Sequence, residues 1–287
     1  PSVSFEFFPP KSVEASFRLF DTVQHLAPLG PRFVSVTYGA GGTTRKLTHE
    51  AVEALVKTTD LTVAAHLTCV EATREETLEI AKGYAEAGVK EIVALRGDPP
   101  KGAERFTAHP EGFADSAELV AALKEVSDFT VRVGAYPDPH PDAGYDGADV
   151  DWLKRKFDAG ADEAVTQFFF EAETFFRFRD KCEKAGIDKP ILPGVLPIEN
   201  WKSARRFAVK CGAHIPAWLD AAFEKAERDG DGRTDLLATS IATELCTELR
   251  AGGVEHFHFY TLNKPGLTRD VCHALGGTPD MQPEKVA

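Results

Sequence analysis

Short apolar runs alternate with longer amphipathic stretches along most of the chain. The runs are rich in Val, Ile, Phe and Thr and lack strict apolar–polar alternation, which is typical of parallel strands covered on both faces. Eight runs are predicted as strands, at residues 2–8, 33–38, 61–69, 91–96, 130–136, 164–170, 190–196 and 254–261.

The stretches between these runs carry helix signals. Thr73 and Glu76 have the spacing of a capping box at a helix start. The first helix, within residues 12–28, is predicted to bury a stripe formed by Phe17, Phe20 and Val23. The connection after the seventh run is longer than the others, and helices are predicted in it at residues 200–210, 216–228 and 235–251.

Eight strands separated by helices predict an α/β fold, a (β/α)8 TIM-type barrel with extra helices between strands seven and eight. We expect residues 1–275 to form this barrel as one domain. Residues 276–287 are rich in Gly, Pro and charge, so they are predicted to be a disordered tail.

Composition and charge argue against several classes of protein. The chain has 45 acidic against 33 basic residues and a formal net charge of −12, which disfavours nucleic acid as a partner. Its five cysteines are scattered without the spacing of a zinc site or a dithiol motif, so we expect reduced thiols in a cytoplasmic protein. No apolar window is long enough for a membrane span, and the N-terminus lacks the features of a signal peptide.

In a barrel of this type, functional side chains come from the C-terminal ends of the strands. Glu6 stands among apolar residues of the first strand, where a buried carboxyl tends to keep its proton, as a general acid must. A structural salt bridge to a neighbouring strand is the alternative. Thr37 precedes a Gly-Ala-Gly-Gly loop at residues 39–42 that lets the backbone approach a ligand, although Thr44 breaks the dinucleotide-binding pattern.

The next strands end in further polar groups. His66 lies in an apolar strand, where a hydrogen-bonded core histidine is the commoner role. Leu95, Arg96, Gly97 and Asp98 form a stiff turn before two prolines, and an Arg–Asp ion pair is as good an interpretation as a ligand site.

The second half of the chain adds cations and amides. Tyr136 and His140 lie in a proline-rich strand end, and the following helix carries Asp149, Arg155 and Lys156. Paired bases suit phosphate oxygens, although a solvated helix face is the common explanation for such residues. Gln167 needs a hydrogen-bond partner in its apolar strand. His256 and His258 share one face of the last strand, but no third ligand accompanies them, so no metal is predicted.

Together these strand ends resemble the bacterial methylenetetrahydrofolate reductase family. The resemblance rests on Ser-Phe-Glu-Phe-Phe-Pro-Pro at 4–10, Thr-Tyr-Gly-Ala-Gly-Gly at 37–42, Ala-His-Leu-Thr-Cys at 65–69, Leu-Arg-Gly-Asp at 95–98, Thr-Gln-Phe-Phe-Phe at 166–170 and His-Phe-Tyr-Thr-Leu-Asn at 258–263. These motifs span nearly the whole chain in the family's order.

The resemblance implies a flavoenzyme of one-carbon metabolism that serves methionine biosynthesis. It implies noncovalent FAD, reduced by NADH or NADPH in a ping-pong reaction that converts 5,10-methylenetetrahydrofolate to 5-methyltetrahydrofolate. The implied FAD contacts are Thr37, His66, Leu95, Arg96, Gly97, Asp98, Tyr136, His140, Asp149, Arg155 and Lys156. The implied catalytic residues are Glu6 and Asp98, and the implied substrate contacts are Glu6, Asp98, Gln167, Phe207 and Lys264.

Two positions depart from the family pattern. Trp152 stands where some relatives carry a polar flavin contact, and Lys264 stands where an Arg is found. A homo-oligomer is also expected. Two alternatives stay open, namely a flavin-free pterin-binding barrel that transfers methyl groups and a flavin- or folate-binding protein without turnover.

Overall fold

The structure, a computed structural model, describes residues 1–38, 45–99, 102–103, 106–230 and 233–277. Its strands are β1 Ser2–Phe7, β2 Phe33–Val36, β3 Val63–Thr68, β4 Glu91–Leu95, β5 Thr130–Ala135, β6 Glu163–Thr166, β7 Ile191–Leu192, β8 Gly194–Val195 and β9 His256–Tyr260. Its helices are α1 Val13–Leu26, α2 Arg45–Thr58, α3 Arg74–Glu86, α4 Ser116–Val126, α5 Ala148–Asp158, α6 Ala172–Lys184, α7 Trp201–Cys211, α8 Ala217–Asp229, α9 Arg233–Ala251 and α10 Pro265–Ala274.

The strands form one parallel sheet in the order β7-β6-β5-β4-β3-β2-β1-β9-β8. The two outer strands, β7 and β8, are consecutive in sequence and separated by Pro193, so the sheet closes on itself almost completely. This confirms the predicted barrel. The single strand predicted at residues 190–196 is wrong in detail, because β7 pairs with β6 whereas β8 pairs with β9.

The barrel interior is apolar on one side and polar on the other. Side chains alternate along each strand, and those that pack together inside are Phe33, Ala64, Val93, Val165, Leu192 and Leu95. The inward positions of β1 and β9 carry serines and histidines instead. The Phe33 ring lies between the two sides and stacks on the His258 ring at a centroid distance of 5.5 Å.

An ion network closes the N-terminal end of the interior. Arg132 is only 2% exposed, and its guanidinium contacts Glu91 at 2.5 Å and Glu163 at 2.8 Å. Arg32 contacts the same Glu163 oxygen at 2.6 Å. The Arg132 guanidinium also lies 3.7 Å from the centroid of the Phe33 ring. A buried cation here is therefore paired with two carboxylates, which offsets its desolvation.

The helices follow the predicted pattern with one exception. Thr73 and Glu76 form the predicted capping box at the start of α3, and α7, α8 and α9 are the extra helices predicted before the last strand. The predicted stripe on α1 is wrong at Phe17, which is 73% exposed, whereas Leu19 and Val23 on the opposite side are buried. Most of the predicted tail, residues 278–287, lies outside the described residues.

Candidate active site

Glu6 lies at the C-terminal end of β1, at the mouth of the barrel. Its carboxylate is 15% exposed and sits between two buried imidazoles. One carboxylate oxygen lies 3.4 Å from His66 Nε2 and 3.7 Å from His258 Nε2. Three strands, β1, β3 and β9, therefore converge on this carboxyl group.

The surroundings of Glu6 favour its neutral form. Burial raises the pKa of Glu6, and the neighbouring His66 opposes that rise. Burial also lowers the pKa of His66 in spite of the Glu6 carboxylate, and it lowers the pKa of His258 to about 3. Because both imidazoles resist protonation, neither forms a strong ion pair with Glu6. The predicted alternative of a structural salt bridge is thus a weak contact, and a proton held on Glu6 is chemically available.

Gln167, Phe207 and Lys264 are the other predicted substrate contacts. Gln167 lies one residue beyond β6, and its side-chain oxygen accepts a hydrogen bond from the Phe168 N–H at 3.0 Å. This bond uses the side-chain oxygen of Gln167 and leaves the side-chain nitrogen out of it. Phe207, on α7, is 37% exposed and packs against Phe168 at a ring distance of 5.3 Å. Lys264 pairs with Glu199 at 2.6 Å.

The turn after β4 separates its two charged residues. Arg96 pairs with Asp142 at 2.8 Å, and Asp98 pairs with Lys210 at 3.9 Å. The Asp98 side chain is 63% exposed at the mouth. The ion pair between Arg96 and Asp98 that the sequence left open is therefore wrong.

Gly97 allows this separation. It has φ +91°, and a Cβ atom there would lie 2.8 Å from Val70 Cγ1. Glycine is thus required both by the backbone conformation and by the space available.

The end of β5 gathers a second group of predicted residues. Tyr136 and His140 contact each other edge to face at 4.6 Å, and the His140 N–H donates to the Asp149 carboxylate at 3.2 Å. Burial raises the pKa of Tyr136 to about 12. The Lys156 ammonium donates to the Gly134 carbonyl, and burial lowers the pKa of Lys156 to about 8.

Arg155 and Lys156 do not form the predicted pair of cations. Adjacent residues on a helix point about 100° apart, so Lys156 turns inward while Arg155 is exposed. The Arg155 guanidinium contacts Asp115 at 3.3 Å and lies 4.2 Å from the ring of Trp152. The Trp152 ring therefore packs against the Arg155 guanidinium.

Thr37 and Leu95 complete the predicted set. The Thr37 N–H donates to Phe7 at 2.9 Å, and Leu95 is the last residue of β4 and half-buried. The glycine loop at residues 39–42 and Thr44 lie outside the described residues. Ser4 and Tyr260 border Glu6 and were missed, because a strand serine and a strand tyrosine have no signal of their own in sequence.

The donors at the mouth suit a large ligand that carries phosphates and a polar ring. Arg96, His140 and Lys156 offer positive charge or N–H donors around β4 and β5. The buried hydroxyl of Thr68, the last residue of β3, has no hydrogen-bond partner in the described part of the chain. The residues therefore fit a dinucleotide cofactor. Within the same described ranges, no cluster of three or more His, Cys, Asp or Glu suits a metal ion, and no helix is long and apolar enough to cross a membrane.

Known proteins match this sequence over nearly its whole length. The family profile described as methylenetetrahydrofolate reductase matches residues 1–276. The 5,10-methylenetetrahydrofolate reductase of Salmonella typhimurium is 46% identical over 98% of this chain and 92% of its own length. The Escherichia coli enzyme of that name is 45% identical with the same coverage.

Two solved structures share the fold at 13% identity. The first is an uncharacterized protein from Clostridium thermocellum that binds 5-methyl-5,6,7,8-tetrahydrofolic acid, with a TM-score of 0.65 over 95% of this chain and 93% of that one. The second is 2,3-dimethylmalate lyase, with a TM-score of 0.53 over 99% of this chain and 86% of that one.

Proposed function

The chain belongs to the methylenetetrahydrofolate reductase family, and we propose that it reduces 5,10-methylenetetrahydrofolate to 5-methyltetrahydrofolate with bound FAD and NADH or NADPH as hydride donor. The relatives that bear this name match nearly the whole chain. The observation that carries the proposal is Glu6, a buried carboxyl with a raised pKa at the barrel mouth. Opening the methylene bridge needs a proton at a folate nitrogen, and Glu6 can donate one there.

Residues around β4 and β5 would hold the FAD without a covalent link. Arg96 and Lys156 supply positive charge for the pyrophosphate, and His140 adds an N–H donor. Thr37, His66, Tyr136 and Asp149 would contact the flavin or its adenosine end, together with Leu95, Gly97, Asp98 and Arg155. When bound, the flavin supplies hydride transfer from nicotinamide to folate.

Asp98, Gln167, Phe207 and Lys264 would bind the substrate. The exposed carboxylate of Asp98 accepts hydrogen bonds from the amino and ring N–H groups of a pterin. The Gln167 amide nitrogen donates to a ring acceptor, and the exposed face of Phe207 stacks on a flat ring. Because these side chains share one face with the cofactor residues, nicotinamide and folate would bind there in turn, as a ping-pong reaction requires.

The flavin content of the purified protein tests the cofactor proposal. We expect a yellow protein with about one FAD per chain, from the one site that a barrel of this type offers. Denaturation should release all of the flavin. A colourless protein that does not take up added FAD would support the flavin-free methyl-transfer alternative instead. A yellow protein that NADH and NADPH both fail to bleach would support the binding protein without turnover.

Localisation and assembly belong to the same proposal. The five cysteines of the chain are free thiols in the structure, which suits the reducing cytoplasm. We propose a homo-oligomer, and light scattering of the purified protein measures its mass directly.

A further inference from the structure

A row of polar side chains, formed by Ser2, His256, Ser4 and His258, runs through the barrel interior beneath Glu6. At the N-terminal end, the exposed Ser2 hydroxyl lies 2.6 Å from His256 Nδ1. The Ser4 hydroxyl lies 2.8 Å from His256 Nε2 and 2.8 Å from His258 Nδ1. His258 Nε2 then faces the Glu6 carboxylate at 3.7 Å. Hydrogen-bonding groups thus follow one another from one end of the barrel to the other.

Ser4 couples the two histidines because a hydroxyl has a single proton. When Ser4 donates to His258, its oxygen accepts from the His256 Nε2–H. When Ser4 donates to His256, its oxygen accepts from the His258 Nδ1–H. Ser2 supports both states, since its hydroxyl also reaches the Glu255 carbonyl at 3.3 Å. The row of side chains therefore has two arrangements in which every hydrogen bond is made, and the donors point in opposite directions in the two.

Burial, together with the nearby arginines, keeps His256 and His258 neutral. Burial lowers the pKa of His256 to about 3, and the nearby cations Arg32 and Arg132 add to this effect. Glu6 is faced by His66 from β3 and by Tyr260 from β9, besides His258. A proton transferred through this region would therefore pass by exchange between neutral groups, without a charged imidazole in the interior.

We propose that Ser2, His256, Ser4 and His258 form a proton relay that connects Glu6 to the N-terminal end of the barrel. His258 gives its Nε2 proton to the Glu6 carboxylate and takes the Ser4 proton on Nδ1. Ser4 takes the Nε2 proton of His256, which takes the Ser2 proton, and Ser2 takes one from water. Each group loses one proton and gains one, and Glu6 ends protonated. A rotation of the Glu6 carboxyl closes the 3.7 Å gap.

The relay gives Glu6 a path to water that a bound ligand leaves open. Glu6 reaches solvent through the barrel mouth, where the proposed folate would cover it, whereas Ser2 is exposed at the opposite end. This benefit rests on the proposed function, because it assumes that Glu6 donates a proton under a bound substrate. The coupling between Glu6 and the distant His256 does not depend on any ligand.

Nitrogen NMR of the imidazole side chains tests the coupling in the ligand-free protein. We expect the His256 tautomer to change over the pH range in which Glu6 titrates, and to stay fixed over that range in Glu6→Gln. Ser4→Ala should abolish the change. The matched control is Ser35→Ala, which removes another fully buried strand serine, one without a hydrogen-bond partner in the described residues, and should leave the change intact. A His256 tautomer that ignores the Glu6 titration in the wild-type protein overturns the relay, whether or not Ser4→Ala folds.

A kinetic measurement with ligand bound at the barrel mouth tests whether the relay carries protons to Glu6. In protein saturated with 5-methyltetrahydrofolate, a light-driven pH jump followed by infrared spectroscopy reports protonation of Glu6, whose band is identified by its loss in Glu6→Gln. Ser4→Ala should slow this protonation about a hundredfold, the lower end of the range for a lost proton-transfer partner, and Ser35→Ala should not. Equal rates in the two variants contradict the relay. A protein that binds no folate contradicts the proposed function instead, and the NMR result then decides on the relay alone.

Discussion

Glu6 is the residue on which the chemical proposal depends. Its pKa is raised by burial, and its two histidine neighbours are themselves held neutral. We predict that Glu6→Gln leaves flavin reduction by NADH near its normal rate and slows reduction of methylenetetrahydrofolate about a hundredfold or more, the usual scale for a lost general acid. Stopped-flow absorbance of each half-reaction measures the two rates separately. Equal losses in both would make Glu6 a structural residue.

The same substitution should stabilise the protein at neutral pH. A carboxyl whose folded pKa is raised binds its proton more tightly in the native state, so its ionisation lowers the free energy of unfolding as pH rises. Relative to the wild type, Glu6→Gln should gain stability above the ordinary glutamate pKa of 4.5 and show no gain well below it. Urea denaturation at several pH values measures this difference. An advantage that is constant across pH would contradict the burial argument.

Asp98 is exposed at the mouth, and Arg96 is paired with Asp142 rather than with Asp98. We predict that Asp98→Asn weakens folate binding at least about tenfold, since a hydrogen bond to a charged group contributes about 1.5–3 kcal/mol and each 1.4 kcal/mol is about tenfold. It should also raise the flavin potential, because a nearby negative charge disfavours the anionic reduced flavin. The melting temperature of Asp98→Asn should equal that of the wild type, because the Asp98 side chain is 63% exposed.

The control is Asp188→Asn, an exposed aspartate in the loop before β7 at the opposite end of the barrel. It should change none of these quantities. An Asp98→Asn variant with normal folate affinity and a normal potential would remove Asp98 from the site.

Residue environments that depend on distant sequence could not be predicted. The apolar neighbours of Glu6 in its own strand were enough to predict its burial. The partner of Arg96 is Asp142, 46 residues away, and no pattern in the sequence favours it over Asp98, two residues away. The separation of Arg155 from Lys156 follows from helix geometry, but which of them turns inward depends on how α5 packs.

At the scale of elements, the closing strand is the most constrained. A Cβ atom on Gly194 would lie 2.2 Å from the Thr166 carbonyl oxygen and 2.6 Å from the Tyr260 ring. These neighbours belong to β6 and β9, the strands that pair with β7 and β8 on the two sides of the closure. Gly194→Ala should therefore lower the free energy of unfolding by about 2 kcal/mol, as overpacking does. Denaturation with urea measures the loss.

Gly266→Ala in α10 is the matched control, because a Cβ atom there would meet no atom within 4 Å beyond its own helical neighbours in the described structure. It should be neutral or slightly stabilising. Equal stability of Gly194→Ala and Gly266→Ala would show that the closure tolerates a wider spacing than the structure has.

The ion network at the N-terminal end gives β4, β5 and β6 a common contact. Arg132→Met keeps the volume but leaves Glu91 and Glu163 without their buried partner, which should cost about 3–5 kcal/mol. Combining it with Glu91→Gln and Glu163→Gln should restore part of that loss. A triple variant no more stable than Arg132→Met would show that the guanidinium acts through its packing on Phe33 instead.

The apolar periodicity predicted which elements form better than it predicted their exact bounds and buried faces. Helical connections and apolar strands gave the barrel and the three extra helices. The division of residues 190–196 at Pro193 depends on which neighbours each half meets, and that is decided by barrel closure. Phe17 was placed on the buried side of α1 because it is large and apolar, yet the side that faces the sheet carries Leu19, Val23 and Leu26.

At the scale of the whole molecule, strand ends that are far apart in sequence meet at one mouth. Residues from β1, β3, β4, β5, β6 and β9 line it, and they are the residues on which the resemblance to a reductase family rested. The fold and the family are thus confirmed, whereas the roles of individual site residues and the extent of the single domain stay predictions.

The reductive cycle tests the central claim most directly. Under anaerobic conditions, the protein loaded with FAD should be bleached by NADH or NADPH and recover its full absorbance on addition of 5,10-methylenetetrahydrofolate. Mass spectrometry should find one 5-methyltetrahydrofolate for each flavin reoxidised. A reduced flavin that methylenetetrahydrofolate leaves bleached, in a protein that binds both ligands, would contradict the proposed reaction.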